Sequence, residues 1–409
     1  MRQKRSLSFS PYALGLLSAL LLSCQAPLSN APPNLESRGA DFSFAFSPDG
    51  EKLSVIATGY GTLPGVNETL RKKSSQLYLV DLNTDQLTPY PHDLDASLFQ
   101  AWSPDGKTLA YASADRTLSL LNPGAPEQIQ RLKSDSPFTT GLTWATATEL
   151  ASFQHNENND ILRQRLASNA PQTEPVLMKS PERTVTTSTI EAQTLISATY
   201  ALSANTFLIK ERYFPDQEAW IKVSDDADQA NVYKPLTKDT ISNHASLSQD
   251  KATLYYDVLP LGASEDRLSS EVFRLDVNSG AQVPLGKGFM PSISPDGSTL
   301  ALIQDNNLVF TSPDGSAPRE VLTKASLGEN SVHTYQWHPD SQTLWVFTAP
   351  DSTSEFEVDG KAVTDTRYAN VSIVAPDKIT AFKLYEVDAK SGAYKEHPLD
   401  WNAVKANLN

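Results

Sequence analysis

One short turn recurs along this chain and limits what it can fold into. Phe46-Ser-Pro-Asp-Gly50-Glu-Lys-Leu, Trp102-Ser-Pro-Asp-Gly106-Lys-Thr-Leu and Ile293-Ser-Pro-Asp-Gly297-Ser-Thr-Leu align without a gap. Trp337-His-Pro-Asp-Ser-Gln-Thr-Leu and Leu247-Ser-Gln-Asp-Lys-Ala-Thr-Leu are further copies. Trp144-Ala-Thr-Ala-Thr-Glu-Leu and Leu202-Ser-Ala-Asn-Thr-Phe-Leu are degenerate ones. The residue after the apolar anchor falls at 47, 103, 145, 203, 248, 294 and 338, with gaps of 56, 42, 58, 45, 46 and 44. A fixed period of this length marks a repeat architecture, in which each unit buries its apolar face only against its neighbours.

Each unit reads as four strands. An apolar residue ends the first. Ser-Pro-Asp-Gly then turns the chain: Pro pre-sets its own φ, Asp bonds locally, and Gly takes the positive φ. Thr-Leu-Ala-Tyr and its analogues form the second strand. The third runs through Leu77–Leu82, Leu118–Leu121, Ile161–Leu166, Trp220–Val223, Val272–Val277, Leu308–Thr311 and Leu384–Asp388. A short fourth strand closes near Leu87, Ile129, Val176, Leu236, Val283, Val321 and His397. The fold class is therefore all-β: a seven-bladed β-propeller of four-stranded antiparallel blades. Blades are expected at about 41–91, 97–133, 138–178, 195–237, 243–286, 289–323 and 332–399, within a propeller over 41–400, followed by a C-terminal tail at 401–409. These repeats resemble the TolB-type, WD40-like β-propeller family over nearly the whole chain. That resemblance specifies fold far more than function, because such propellers serve as scaffolds, receptors and a few enzymes.

The anchor column Phe46, Trp102, Trp144, Leu202, Leu247, Ile293 and Trp337 is read as packing between blades, not as a ligand-stacking set. The residues just before it are mostly small (Ala45, Ala101, Thr143, Ala201, Ser246, Ser292, with Gln336 the exception), as a crowded inner strand requires.

The N-terminus carries a second signal. Arg2, Lys4 and Arg5 precede an apolar run from Tyr12 to Leu22, then Leu21-Leu22-Ser23-Cys24 and a polar stretch. Such a layout is that of an export signal, with an apolar segment too short to span a bilayer. Cys24 is the only cysteine, and Leu-Leu-Ser-Cys resembles the lipobox of bacterial lipoproteins. The resemblance implies cleavage after residue 23, lipidation of Cys24, and a tether over 24–40. Gln25 after the Cys implies the outer membrane of a Gram-negative cell envelope. Loss of residues 1–23 removes three positive charges and takes the net charge from −14 to −17. Such an acidic chain is not expected to bind nucleic acid.

The turns share one face of the propeller, and they are short. The other face collects the insertions, 58–76, 210–219, 257–270 and 349–383. Loops on a rigid scaffold are where binding residues concentrate. The candidate binding face holds His155, Lys210, Arg212, Tyr213, His244, Asp257, Asp305, His333 and Tyr335, with Asp41 and Gln100 nearby. His155, His244 and His333 at a channel mouth raise the question of a metal. Some pectin-fragment lyases of this resemblance carry a His-rich metal site, but this chain has no compact His cluster, and none is expected. No Gly-x-Ser-x-Gly elbow, phosphate loop or calcium loop occurs. The expectation is a non-catalytic, lipid-anchored scaffold, without cofactor, that binds another envelope protein. A glycan-binding or lyase-like channel mouth is the alternative.

Overall fold

The computed structural model describes residues 36–63, 66–93, 96–113, 117–125, 129–133, 139–144, 149–155, 161–167, 170–173, 196–201, 206–212, 217–223, 233–238, 240–241, 244–250, 252–260, 269–277, 279–350, 357–358, 361–362 and 374–408. Cys24 and the leader lie outside these residues, as does Tyr213. No described helix is long and apolar enough to cross a membrane.

The chain is all-β and built from four-stranded antiparallel sheets, each an up-and-down meander in chain order. The inner strands are Glu36–Phe46, Ala96–Trp102, Thr139–Trp144, Ile196–Ala201, Ala245–Leu247, Phe289–Ile293 and Asn330–Trp337. In the fifth sheet the inner strand is broken: Thr240–Ile241 and Ala245–Leu247 both pair with Thr253–Pro260. The sheets span 36–93, 96–133, 139–173, 196–238, 240–287, 289–322 and 330–397. Glu36–Ala40, expected in a tether, are paired with the second strand. The expected tail is an α-helix, Trp401–Leu408.

Four of the described turns share one bonding pattern. Ser47, Ser103, Ser248 and Ser294 each donate their hydroxyl to the Asp two residues on. The same hydroxyls accept the backbone N–H of Lys52, Thr108, Thr253 and Thr299 at 2.9–3.0 Å. Gly50, Gly106 and Gly297 sit at φ 73°, 67° and 73°, where a Cβ is unfavourable. Ser341 takes that place in the last unit at φ 61°. Its hydroxyl accepts the amide of Asp296 at 2.9 Å, a link to the neighbouring turn that no glycine could make. The serine hydroxyl is the largest influence on Asp105, Asp250 and Asp296, and it lowers their pKa values below the usual carboxylate value. These turns reach their full strength once the aspartates ionise.

Neighbouring sheets are tied by one rule. The Trp102 indole donates to the carbonyl of Ala45 at 2.9 Å, Trp144 to Ala101 at 3.0 Å, and Trp337 to Ser292 at 3.0 Å. The amide of Ile293 donates to Ser246 Oγ at 3.1 Å, and that of Phe46 to Gln336 Oε1 at 3.5 Å. In each case an anchor residue bonds to the residue just before the anchor of the preceding sheet. The last of these ties joins the final sheet to the first. Small residues at the accepting position leave the indole room to reach a backbone carbonyl.

That join carries more than side-chain packing. Ala40 and Val374 exchange two backbone hydrogen bonds of 3.0 and 2.8 Å. Val374, Ile379 and Phe382, from the unit-seven insertion, share one apolar core with Ala40, Phe42, Phe347, Trp401 and Val404. The Phe382 ring meets Phe42 edge-on at 4.7 Å and Trp401 at 5.3 Å. His338 lies over Gly50, where a Cβ would sit 1.7 Å from its ring. All strands of the first and last sheets come from their own continuous segments, so no strand is lent across the join.

Replacing Trp337 by Phe keeps the ring and deletes one N–H. The Ser292 carbonyl then loses its partner, at a cost of about 1–2 kcal/mol. The expected result is a lower urea midpoint with an unchanged m-value; an unchanged midpoint contradicts the sheet-to-sheet tie.

Candidate binding face

Two of the expected insertions are ordered β structure. The unit-one segment 58–76 continues its strands into a long ribbon, with Lys52–Leu63 paired to Val66–Asp81. Segment 210–219 is mostly strand, Arg212 pairing with Gln217 and Lys210 with Ala219. In the last unit, Glu357–Val358 pairs with Lys361–Ala362 before the chain returns to Val374.

The face centres on the break in the fifth inner strand. His244 sits at that break. Its amide donates to Asp257 Oδ1 at 2.8 Å, and its Nδ1 lies 2.8 Å from Asp257 Oδ2. The amide of Met290, at the start of the sixth sheet, donates to the same Oδ2 at 3.1 Å. The Tyr335 hydroxyl, from the seventh sheet, donates to the Met290 carbonyl. One network therefore crosses three consecutive inner strands. Met290 holds a positive φ of 56° within it, a conformation that costs a β-strand residue energy unless its surroundings impose it.

Burial opposes ionisation of Asp257. The charge of His244, its ring and amide bonds and the Met290 amide outweigh burial and lower the carboxyl's pKa. Burial, with the charge of Asp257, raises the Tyr335 phenol well above its ordinary value. With Nδ1 held by Asp257, the His244 Nε2 points away from that carboxylate. His244 is about one-third exposed, so that nitrogen is open to a ligand.

The other sequence candidates fall elsewhere. His333 was expected at the channel mouth. It is the bulged residue between Val332 and Thr334, and its ring meets Phe44 at 5.9 Å and Phe347 at 6.2 Å. The bulge turns it toward the first sheet, while Tyr335 reaches the sixth. Asp305 and Asn306 form a two-residue hairpin turn at φ 51° and 64°, with Asp305 exposed. His155 ends the strand Glu149–His155, opposite Ile161. Among the described residues no group of three or more His, Cys, Asp or Glu is arranged to hold a metal ion.

Gln100, named beside this face from the sequence, bonds back to the first sheet, its amide donating to the Ser43 carbonyl at 2.8 Å. Sequence reasoning missed one residue of the network. Met290 carries no signal of its own; only its place between Asp257 and Tyr335 gives it a role. Asp41 stands apart from the network. It is buried at 6% exposure. Desolvation raises its pKa to about 7, opposed only by a bond from the Phe42 amide.

His244→Ala removes the ring bond and its charge from the buried Asp257 carboxylate, while the amide of residue 244 still donates to it. A loss of about 2–3 kcal/mol is expected near neutral pH, shrinking as pH falls below the ordinary carboxylate range and the carboxylate protonates. Asp41→Asn works in the opposite sense. A raised acid pKa means that stability is fully present below about 4 and is lost as pH rises to about 7. The Asn variant lacks that loss, so its unfolding midpoint exceeds that of wild type above pH 7. Urea titrations at pH 4, 5.5, 7 and 8 measure both effects.

No family model matches this chain, and no curated protein does. It is similar to solved β-propellers. The propeller domain of the Trilobed protease from Pyrococcus furiosus is 10% identical, with a TM-score of 0.49 over 88% of this chain and 99% of that one. Oligogalacturonate lyase from Vibrio parahaemolyticus is 10% identical, with a TM-score of 0.49 over 78% and 88%. TolB from Acinetobacter baumannii is 15% identical, with a TM-score of 0.39 over 76% and 69%. At this distance the similarities assign no residue a role.

Proposed function

We propose that this chain is an exported, lipid-anchored scaffold of the bacterial cell envelope. Its sheets are the blades of a seven-bladed β-propeller, Cys24 carries the lipid, and the insertion-bearing face binds another envelope protein. The outer membrane is the expected site, on the strength of Gln25. The observation that supports a binding role is the contrast between the two faces. On one face the turns consume their own polar groups: each described Ser-x-Asp unit bonds within itself. On the other face the unit-one ribbon and the unit-seven segment extend beyond the sheets, and His244 keeps a ring nitrogen for a partner. A rigid ring with one saturated face and one elaborated face suits docking better than chemistry. The acidic charge of the cleaved chain, −14 less the three positive charges of residues 1–23, or −17, favours a partner with a basic surface.

The experiment is cross-linking and pull-down from native membranes. Wild type is compared with Cys24→Ser and with a variant whose residues 351–372 are replaced by a short Gly/Ser linker. Val374 is kept, because its bridge to Ala40 belongs to the fold. The reading predicts a specific protein partner recovered with wild type, at least tenfold less with the linker variant, and release of Cys24→Ser from membranes. Equal recovery with the linker variant, or a bound glycan or metal with no protein, contradicts it.

A further inference from the structure

The join between the last sheet and the first contains one charged contact among its described ties, and it turns on a buried histidine. His397 ends the outer strand of the last sheet and is 3% exposed. Its Nδ1 bonds Asp85, in the outer turn of the first sheet; its Nε2 lies 3.2 Å from Glu386 Oε2 on the neighbouring strand of its own sheet. The Trp345 ring covers it at 4.9 Å. Asp85 has a φ of 58°, so the turn presents this carboxylate from a left-handed conformation.

A carboxylate accepts hydrogen bonds and cannot donate them. Neutral imidazole has one N–H and one lone pair. With both ring nitrogens set against carboxylates, only imidazolium can satisfy both contacts. We propose that His397 is a proton-operated latch of the ring: protonated, it holds the first and last sheets together; neutral, it releases them. After deprotonation one nitrogen faces a carboxylate with its lone pair. Asp85 and Glu386 then flank a neutral ring with no cation between them. The charged groups facing His397 are those two carboxylates, and Trp345 contributes no charge.

The rest of the join is built to respond. Among the described residues it shares no strand, and its backbone link is the Ala40–Val374 bridge. The indole nitrogens of Trp345 and Trp401, both buried there, have no hydrogen-bond partner, so this interface is less fully satisfied than the Trp-tied junctions. A second histidine at the join, His338, has its Nδ1 3.0 Å from Asp340 Oδ2 in its own turn and its Nε2 3.1 Å from the Asp49 carbonyl of the first sheet; unlike His397 it faces a carboxylate with one ring nitrogen only. Asp41 follows Ala40, and burial places its proton loss near pH 7. Its ionisation loosens the same side of the join, in the same direction of pH. Opening on the alkaline side would free the unit-seven segment from the first sheet.

The test is hydrogen–deuterium exchange of the full-length protein at pH 5.5 and 8, expressed as protection so that intrinsic rates cancel. Peptides covering 36–46 and 374–384 report the join, and the sixth-sheet strands 300–311 serve as reference. Wild type is expected to lose at least tenfold protection at the join relative to the reference between pH 5.5 and 8. His397→Gln is expected to abolish most of that difference. If it does not fold, Asp85→Asn serves, since Asn accepts the left-handed φ of that turn. Equal relative protection at both pH values overturns the latch. So does a pH dependence that survives in His397→Gln or Asp85→Asn but vanishes in Asp41→Asn, which would move the switch to the buried carboxyl.

Discussion

The arrangement depends on one hydrogen bond repeated from sheet to sheet. An anchor at the end of one inner strand bonds to the residue before the anchor of the preceding strand, as Trp102 does to Ala45, Trp144 to Ala101 and Trp337 to Ser292. The bond fixes three things at once. It sets the spacing of inner strands, because an indole has one length. It orients the large ring between two sheets, where its area is buried. It also demands a small side chain beside the accepting carbonyl. These sheets bury their faces against neighbouring sheets, so a tie that recurs at the same register keeps successive contacts alike.

Where the anchor cannot donate from its side chain, the chain substitutes other bonds. Ile293 uses its amide and Ser246 supplies the acceptor. Phe46 faces the harder case, because its neighbour is the last sheet and the contact must close the ring. Gln336, the one long residue at the accepting position, reaches its amide only at 3.5 Å. The strength lost there is made up in aromatic area: Phe46 stacks on Trp345 at 6.0 Å, Phe44 on Phe347 at 3.9 Å, and Phe42 meets Phe382. The C-terminal helix completes this core with Trp401 and Val404. The closing join is thus more apolar and less regular than the others.

Much of this was legible because turn chemistry repeats. Ser-Pro-Asp-Gly announces its own geometry, and the position after each anchor counted out the units. His244 and Asp257 were both named from the sequence, and the structure joins them across a broken strand. What the sequence hid lies in irregularities. The bulge at His333 reverses its direction, and a bulge adds one residue without a signature of its own. The ribbon in unit one looked like a loop because Gly59, Gly61 and Gly65 suggest turns. Bulges between Gly59 and Tyr60, and between Gly61 and Leu63, absorb two of them within strands. His397 and Asp85 are 312 residues apart; no local pattern connects them.

Two buried aspartates on inner and second strands show how the same residue type takes opposite roles. Asp257 accepts from a side chain and two amides beside His244, so burial is overcome and the carboxyl stays ionised. Asp41 accepts from one amide, so burial wins and its proton leaves only near pH 7. The charge of His244 and hydrogen bonding to the charged form, not depth of burial, separate them. Around Asp257 the fixed charge binds three inner strands into one rigid unit. Beside Asp41 the carboxyl can change charge next to the Ala40–Val374 bridge. The ring is therefore rigid in charge at the candidate face and adjustable in charge at its closing join.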